Sequence, residues 1–142
     1  MKIGLYPGSF NPYHDGHADI VDKALEIFDK VIICVGRNPE KPISEVVKVV
    51  KQIRLYHDID IKKGVIQVFP FKGFLKNVVE QKKATAVIKG IRDTNDFIYE
   101  QKQQYWNEDI GMSCPTIYLI SDRKLVHISS SALRALDKIK KG

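Results

Sequence analysis

The residues best suited to chemistry lie near the start of the chain, in Tyr6-Pro7-Gly8-Ser9-Phe10-Asn11-Pro12-Tyr13-His14-Asp15-Gly16-His17. An apolar strand that breaks at Pro7-Gly8 and re-enters a helix near Gly16 leaves backbone N–H groups pointing outward at a positive helix end. That arrangement is an anion site, and α/β proteins use it to hold nucleotide phosphates. His14-x-Gly16-His17 then sets two imidazoles at the helix mouth, where one can donate a hydrogen bond to a phosphoryl oxygen. Ser129-Ser130-Ser131 is a second place of this kind. N-capping accounts for one of its three hydroxyls, and a hydroxyl-rich helix start suits further phosphates. No Ser/His/Asp or Cys/His pairing stands out for nucleophilic catalysis, and no carboxylate cluster specifies a protein-held metal ion.

The elements that must position these groups alternate between strand and helix. Apolar runs predict strands at Lys2 to Tyr6, Val31 to Val35, Val65 to Phe69, Thr85 to Ile88 and Thr116 to Ile120. Val21, Ala24, Leu25 and Phe28 fall at i, i+3, i+4, i+7 and predict a helix over Asp15 to Phe28. Ser44 can cap a second helix that carries Val46, Val49, Val50 and Ile53 on one face; further helices are predicted over Phe74 to Gln81, Asn95 to Asn107, and from Ser129 or Ser130 onward. The pattern predicts an α/β fold: a Rossmann-like, doubly wound, five-stranded parallel sheet with helices on both faces, one domain over residues 1–142. Ligands of such sheets sit beyond the carboxyl ends of the strands. Four polar clusters fall at such ends: Ser9 to His17, Arg37 to Lys41, Lys89 to Arg92, and Asp122 to Ser131.

Composition bounds what this fold can do. With 142 residues, 44% hydrophobic and 28% charged, the chain can bury one substantial core and is wrong for disorder. No apolar run approaches membrane-spanning length, and Met1-Lys2 leads straight into a strand, so a cytoplasmic protein is expected. Cys34 and Cys114 read as lone buried thiols of a reducing compartment. The net charge of +6 fits either a phosphorylated small substrate or nucleic acid. The lysines form short, separated clusters without an Arg-rich stripe, which favours the first and leaves nucleic acid out as a partner.

Three motifs together carry a family resemblance. Tyr6 to Pro12 with His14 to His17, then Ile88-Lys89-Gly90-Ile91-Arg92 followed by Asp96-Phe97-Ile98-Tyr99-Glu100, then Ile128-Ser129-Ser130-Ser131, resemble the bacterial phosphopantetheine adenylyltransferases of the nucleotidyltransferase superfamily. The likeness runs from Met1 to about Leu136. It implies reversible transfer of an adenylyl group from ATP to 4′-phosphopantetheine, giving dephospho-coenzyme A and pyrophosphate. It also implies Mg²⁺ carried with ATP, no covalent enzyme intermediate and a homohexamer.

The resemblance places His17, Lys41 and Arg92 at the reacting phosphates, with His17 on the α-phosphate. It assigns ATP to Ser9, Phe10, His17, Gly90, Ile91, Arg92, Glu100, Leu125, Val126, His127, Ile128, Ser129, Ser130 and Ser131, and the acceptor to Ser9, Lys41, Leu75 and Lys89. His14 either adds a phosphate contact or hydrogen-bonds within its loop, and Leu75 serves either the pantetheine arm or the core. Several residues depart from the family pattern. Lys89 stands where the family usually has arginine, which suggests weaker substrate affinity because a point charge lacks the bidentate fork. Asn11 replaces the usual aspartate, Leu125 to His127 alter the adenine side, and the chain ends early at Gly142, all suggesting a divergent or minimal member. The alternatives are a nucleotidyltransferase acting on nicotinamide or nicotinate mononucleotide or a polyol phosphate, and a catalytically lapsed nucleotide- or nucleic-acid-binding protein.

Overall fold

The computed structural model describes residues 1–122 and 130–141. Leu125, Val126, His127, Ile128 and Ser129 lie outside the described residues, as does the side chain of Ser131. The elements run β1 (Ile3–Gly8), α1 (Asp15–Leu25), β2 (Lys30–Gly36), α2 (Ile43–Tyr56), α3 (Asp58–Lys62), β3 (Ile66–Phe71), α4 (Leu75–Lys82), β4 (Ala86–Ile91), α5 (Thr94–Asp109), β5 (Thr116–Ile120) and α6 (Ser130–Lys141). The five strands form one parallel sheet in the order β3-β2-β1-β4-β5. The α/β, Rossmann-like expectation is met.

The alternation of each strand divides the core between two faces. Val31, Ile33 and Val35 pack with Val21 and Ala24 of α1 and with Val46, Val49, Val50 and Ile53 of α2. Ile32 and Cys34 point the other way, into a smaller cluster with Leu5, Val87 and Val78 and Val79 of α4. That is why β2 reads as an unbroken apolar run: both of its faces are covered.

Several boundaries differ from the sequence expectation. β1 continues through Pro7 and Gly8 because both keep their register with Cys34 and Val35 of β2. β4 runs on to Ile91, since Lys89, Gly90 and Ile91 pair with Tyr118, Leu119 and Ile120; the polar and flexible residues there mark the strand's carboxyl half, not its end. α1 stops at Leu25, and Phe28 reaches the same core from the turn that follows. α2 starts at Ile43 with Pro42 as its N-cap and no side-chain cap, so Ser44 does not cap it. α3 was not expected: it is one short turn of helix with no buried residue and hence no apolar signature.

One feature of the sheet creates the site. β1 and β2 pair along the whole of Ile3 to Gly8, but β1 and β4 pair only at Gly4 with Ala86 and Leu5 with Val87. Beyond that point the ladder between β1 and β4 is not continued, and a crevice opens at the carboxyl ends where the strand order reverses.

Candidate active site

Two clefts meet above the carboxyl ends of the strands. The larger, about 520 Å³, fills the gap between β1 and β4 and is lined by Tyr6 to Phe10, His14, Gly16, His17 and Ile20 on one side. Lys89 to Arg92, Asp96, Tyr99 and Glu100 line the other side, and Ser121, Ser130 and Arg134 close it. The smaller, about 310 Å³, lies over β2 and α2, with Asn11, Val35, Gly36, Asn38, Lys41, Glu45, Val46 and Val49 in its walls. Ser9 and Arg134 belong to both.

The helix mouth is built from its own backbone. His14 is the N-cap of α1: its Nδ1 accepts from the Gly16 N–H at 3.1 Å, and the Nδ1 of His17 accepts from the His14 N–H at 3.1 Å. This reciprocal cap satisfies two of the orphan donors that every helix start carries. It also fixes the tautomer, because a ring whose Nδ1 accepts must carry its proton on Nε2. Burial, the adjacent His14 and the Arg92 charge push His17 down to about 3, and burial lowers His14 as well. His17 is therefore a neutral N–H donor on the wall of the larger cleft. His14 takes the loop role among the two left open for it, while also lining that cleft.

Two glycines are required by close approach. A Cβ on Gly16 would sit 2.9 Å from the His14 ring, and one on Gly8 would sit 2.9 Å from the Phe10 ring. Phe10 itself adopts φ +50, in the left-handed region that side chains rarely enter. Its ring is buried, edge-on to Tyr6 at 5.0 Å and to His17 at 5.0 Å.

The opposite wall brings the positive charges. Asp93 caps α5 by accepting from the Asp96 N–H at 2.9 Å. The Asp96 carboxylate in turn accepts from Arg92 through both its backbone N–H, at 3.0 Å, and Nε, at 3.1 Å. Arg92 is thus held on the cleft by the first turn of the next helix. Lys89 stands 3.9 Å from Glu100, so these two are paired across the end of β4.

α6 is tied to the first loop. Ser130 Oγ donates to the Pro12 carbonyl at 2.8 Å, and Arg134 donates to the Asn11 carbonyl. From the other side Lys23 donates to the Ile120 carbonyl at 2.6 Å and pairs with Asp19 and Asp122. These bonds hold both ends of the chain that enters and leaves residues 123–129.

The fold brings together Ser9, Phe10, His17, Lys89, Gly90, Ile91, Arg92, Glu100 and Ser130 on the larger cleft, and Ser9 with Lys41 on the smaller. Leu75, at the start of α4, lines neither and packs partly buried against the smaller core cluster. Tyr6 and Asp96 were not singled out as contacts.

Comparison with known proteins gives a consistent answer. A family model described as cytidylyltransferase-like matches residues 5–136. The chain is 35% identical over 138 residues to a phosphopantetheine adenylyltransferase from Clostridium novyi (strain NT), covering 94% of this chain and 82% of that protein. It is 34% identical over 140 residues to one from Alkaliphilus metalliredigens (strain QYMF), covering 99% and 88%. Among solved structures it resembles a bifunctional NMN adenylyltransferase/ADP ribose pyrophosphatase from Francisella tularensis, with a TM-score of 0.65 at 15% identity over 95% of this chain and 41% of that one. It also resembles a lipopolysaccharide core biosynthesis protein from Thermoplasma volcanium GSS1, with a TM-score of 0.56 at 15% identity over 86% and 98%.

Proposed function

The chain belongs to the phosphopantetheine adenylyltransferases within the cytidylyltransferase-like family, and we infer from that membership that it transfers the adenylyl group of ATP to 4′-phosphopantetheine, forming dephospho-coenzyme A and pyrophosphate. It is a nucleotidyltransferase of coenzyme A biosynthesis. The single observation that carries the reading onto these residues is the pair of adjoining clefts that share Ser9 and Arg134, with His17 and Arg92 lining the larger and Lys41 the smaller.

The larger cleft takes ATP and the smaller takes the acceptor, whose phosphate meets the α-phosphorus at Ser9. A phosphate oxygen is already a competent nucleophile, so the site needs alignment and charge neutralisation and no general base. The acceptor oxygen forms a bond to the α-phosphorus as the bond to the bridging oxygen of pyrophosphate breaks. His17 Nε2–H donates to the α-phosphoryl oxygens as charge builds there. Lys41 reaches in from the β2–α2 loop to draw the two phosphates together, and Arg92 and Lys89 balance charge from the β4 side. The N-terminus of α6, with Ser130, receives the leaving pyrophosphate.

Mg²⁺ would travel on the triphosphate, whose charge it neutralises when bound. The carboxylates on the cleft, Asp96 and Glu100, are already paired with Arg92 and Lys89. Among the described residues no group of three or more His, Cys, Asp or Glu side chains could hold a metal ion. The homohexamer is part of the same proposal, supported by the exposed aromatic residues of α5. A cytoplasmic setting is supported by the free thiols of Cys34 and Cys114, and no helix among the described residues is long and apolar enough to cross a membrane.

Pyrophosphate release from the purified protein with Mg²⁺-ATP tests the reading, with 4′-phosphopantetheine, nicotinamide mononucleotide or no acceptor. Release with phosphopantetheine alone is expected. Release with only the mononucleotide would overturn the acceptor, and none with either would overturn the activity.

A further inference from the structure

We propose that His57, remote in sequence from every motif of the site, is a positioning residue that orients His17 through Tyr13. The proposal rests on the reading of His17 as the phosphate donor. His57 lies between α2 and α3, is 6% exposed, and takes no part in the adenylyl transfer described above. Its Nε2 is 2.6 Å from the hydroxyl of Tyr13, a residue that is itself 4% exposed. Burial keeps the Tyr13 phenol protonated, and it shares one hydrogen bond with the neutral imidazole of His57, whose tautomer sets which of the two donates. The charged groups that bear on His57 are Asp22 of α1 and Asp60 of α3, which act against the lowering effect of its burial.

The other end of the connection is the ring of Tyr13. It stacks on His17 with centroids 5.3 Å apart and planes 20° from parallel. His14 stacks on the same imidazole at 3.7 Å, and Phe10 meets both His17 and Tyr13 edge-on, at 5.0 Å and 5.7 Å. The plane of the donor ring is therefore set by three aromatic neighbours. His14 and Phe10 are fixed by the helix cap and the loop backbone, whereas Tyr13 is fixed at its far end by a single hydrogen bond to α2–α3. Without that bond the ring is held by packing alone, and an N–H that must meet a developing charge loses part of its alignment.

Tyr13→Phe removes one oxygen and leaves the stack, and His57→Leu removes the partner of the phenol. Each is expected to lower kcat about tenfold, ~1.4 kcal/mol of barrier, with KM for ATP within about twofold. In the absence of substrate, the ¹⁵N and ring ¹H resonances of His17 should shift and broaden as the ring loosens, while keeping the Nε2–H pattern that the His14 cap imposes. His57→Gln, which keeps a hydrogen-bonding partner for the phenol, should recover most of the rate. Wild-type kcat with unmoved His17 resonances in Tyr13→Phe would overturn the proposal, as would a fall in Tm alone. If His57→Leu does not fold, Tyr13→Phe decides the matter. Should the wild-type protein fail to adenylylate phosphopantetheine, the function falls, while the His17 resonances still report whether the connection exists.

Discussion

His17 keeps its proton on Nε2 because its Nδ1 is taken by the His14 N–H, and it stays neutral because burial, His14 and Arg92 all disfavour its cation. In the proposed mechanism its contribution is a directed hydrogen bond that strengthens as the α-phosphate gains charge, and the cationic work falls to Lys41, Lys89 and Arg92. His17→Ala is expected to lower kcat on the order of 10²- to 10³-fold and to leave ATP affinity nearly unchanged. Pyrophosphate release beside equilibrium ATP binding would show this; equal losses in both would remove the assigned role. Lys89→Arg restores a bidentate fork while keeping the charge beside Glu100, and should lower KM for phosphopantetheine several-fold in steady-state kinetics. The low pKa of His17 also has a cost in acid. Between its ordinary value of 6.5 and about 3, the unfolded chain takes up a proton that the folded chain refuses. Stability is therefore lost as pH falls through that window, by up to ~1.4 kcal/mol per pH unit from this residue. Tm measured from pH 7 to 4 should fall less steeply in His17→Gln than in the wild-type protein.

Among the elements, the turn after β1 is the one whose sequence and geometry are most tightly matched. Gly8→Ala would place a methyl 2.9 Å from the Phe10 ring, which bears edge-on against His17, and so should lower both Tm and kcat. Gly64→Ala is the contrasting case. At φ +79 with nothing within 4 Å, it should lower Tm and leave kcat unchanged. Thermal melts and single-concentration rates on the two variants separate these effects. The strands and the buried faces of α1 and α2 were legible because each apolar period is local. The short α3 was not, since none of its residues is fully buried and Ile61, packed partly buried on the core, leaves no period to read. The extension of β4 was hidden because Lys89 and Gly90 interrupt the apolar run while the ladder with β5 continues.

For the molecule as a whole, the legible part of the site was its motifs and the illegible part was what joins them. Tyr13 and His57 are 44 positions apart, Lys23 and Ile120 are 97 apart, and Ser130 and Pro12 are 118 apart. Such contacts exist only once the sheet order is set, and no local pattern announces them. The same scale governs assembly. No described side chain of α5 is buried, and Phe97, Ile98, Tyr99, Tyr105 and Trp106 are 48–61% exposed. An apolar surface of that kind is normally covered. Sedimentation equilibrium is expected to give six times the 16.2 kDa chain mass, and a monomer would remove the hexamer from the proposal.

The reversal of strand order at β1 has a consequence for how this architecture can change. Apart from Ser9, Asn11 and Arg134, the smaller cleft is drawn from β2, the loop after it and α2, whereas β4 and α5 contribute only to the larger. Lys89 apart, the two substrates of the proposed reaction thus meet largely separate stretches of sequence on opposite sides of one strand. Mutations between Val35 and Val49, Lys41 excepted, can remodel what is accepted without disturbing what is donated, so the fold is modular in the sense that matters to selection: a new acceptor can be tried while the nucleotide half stays intact.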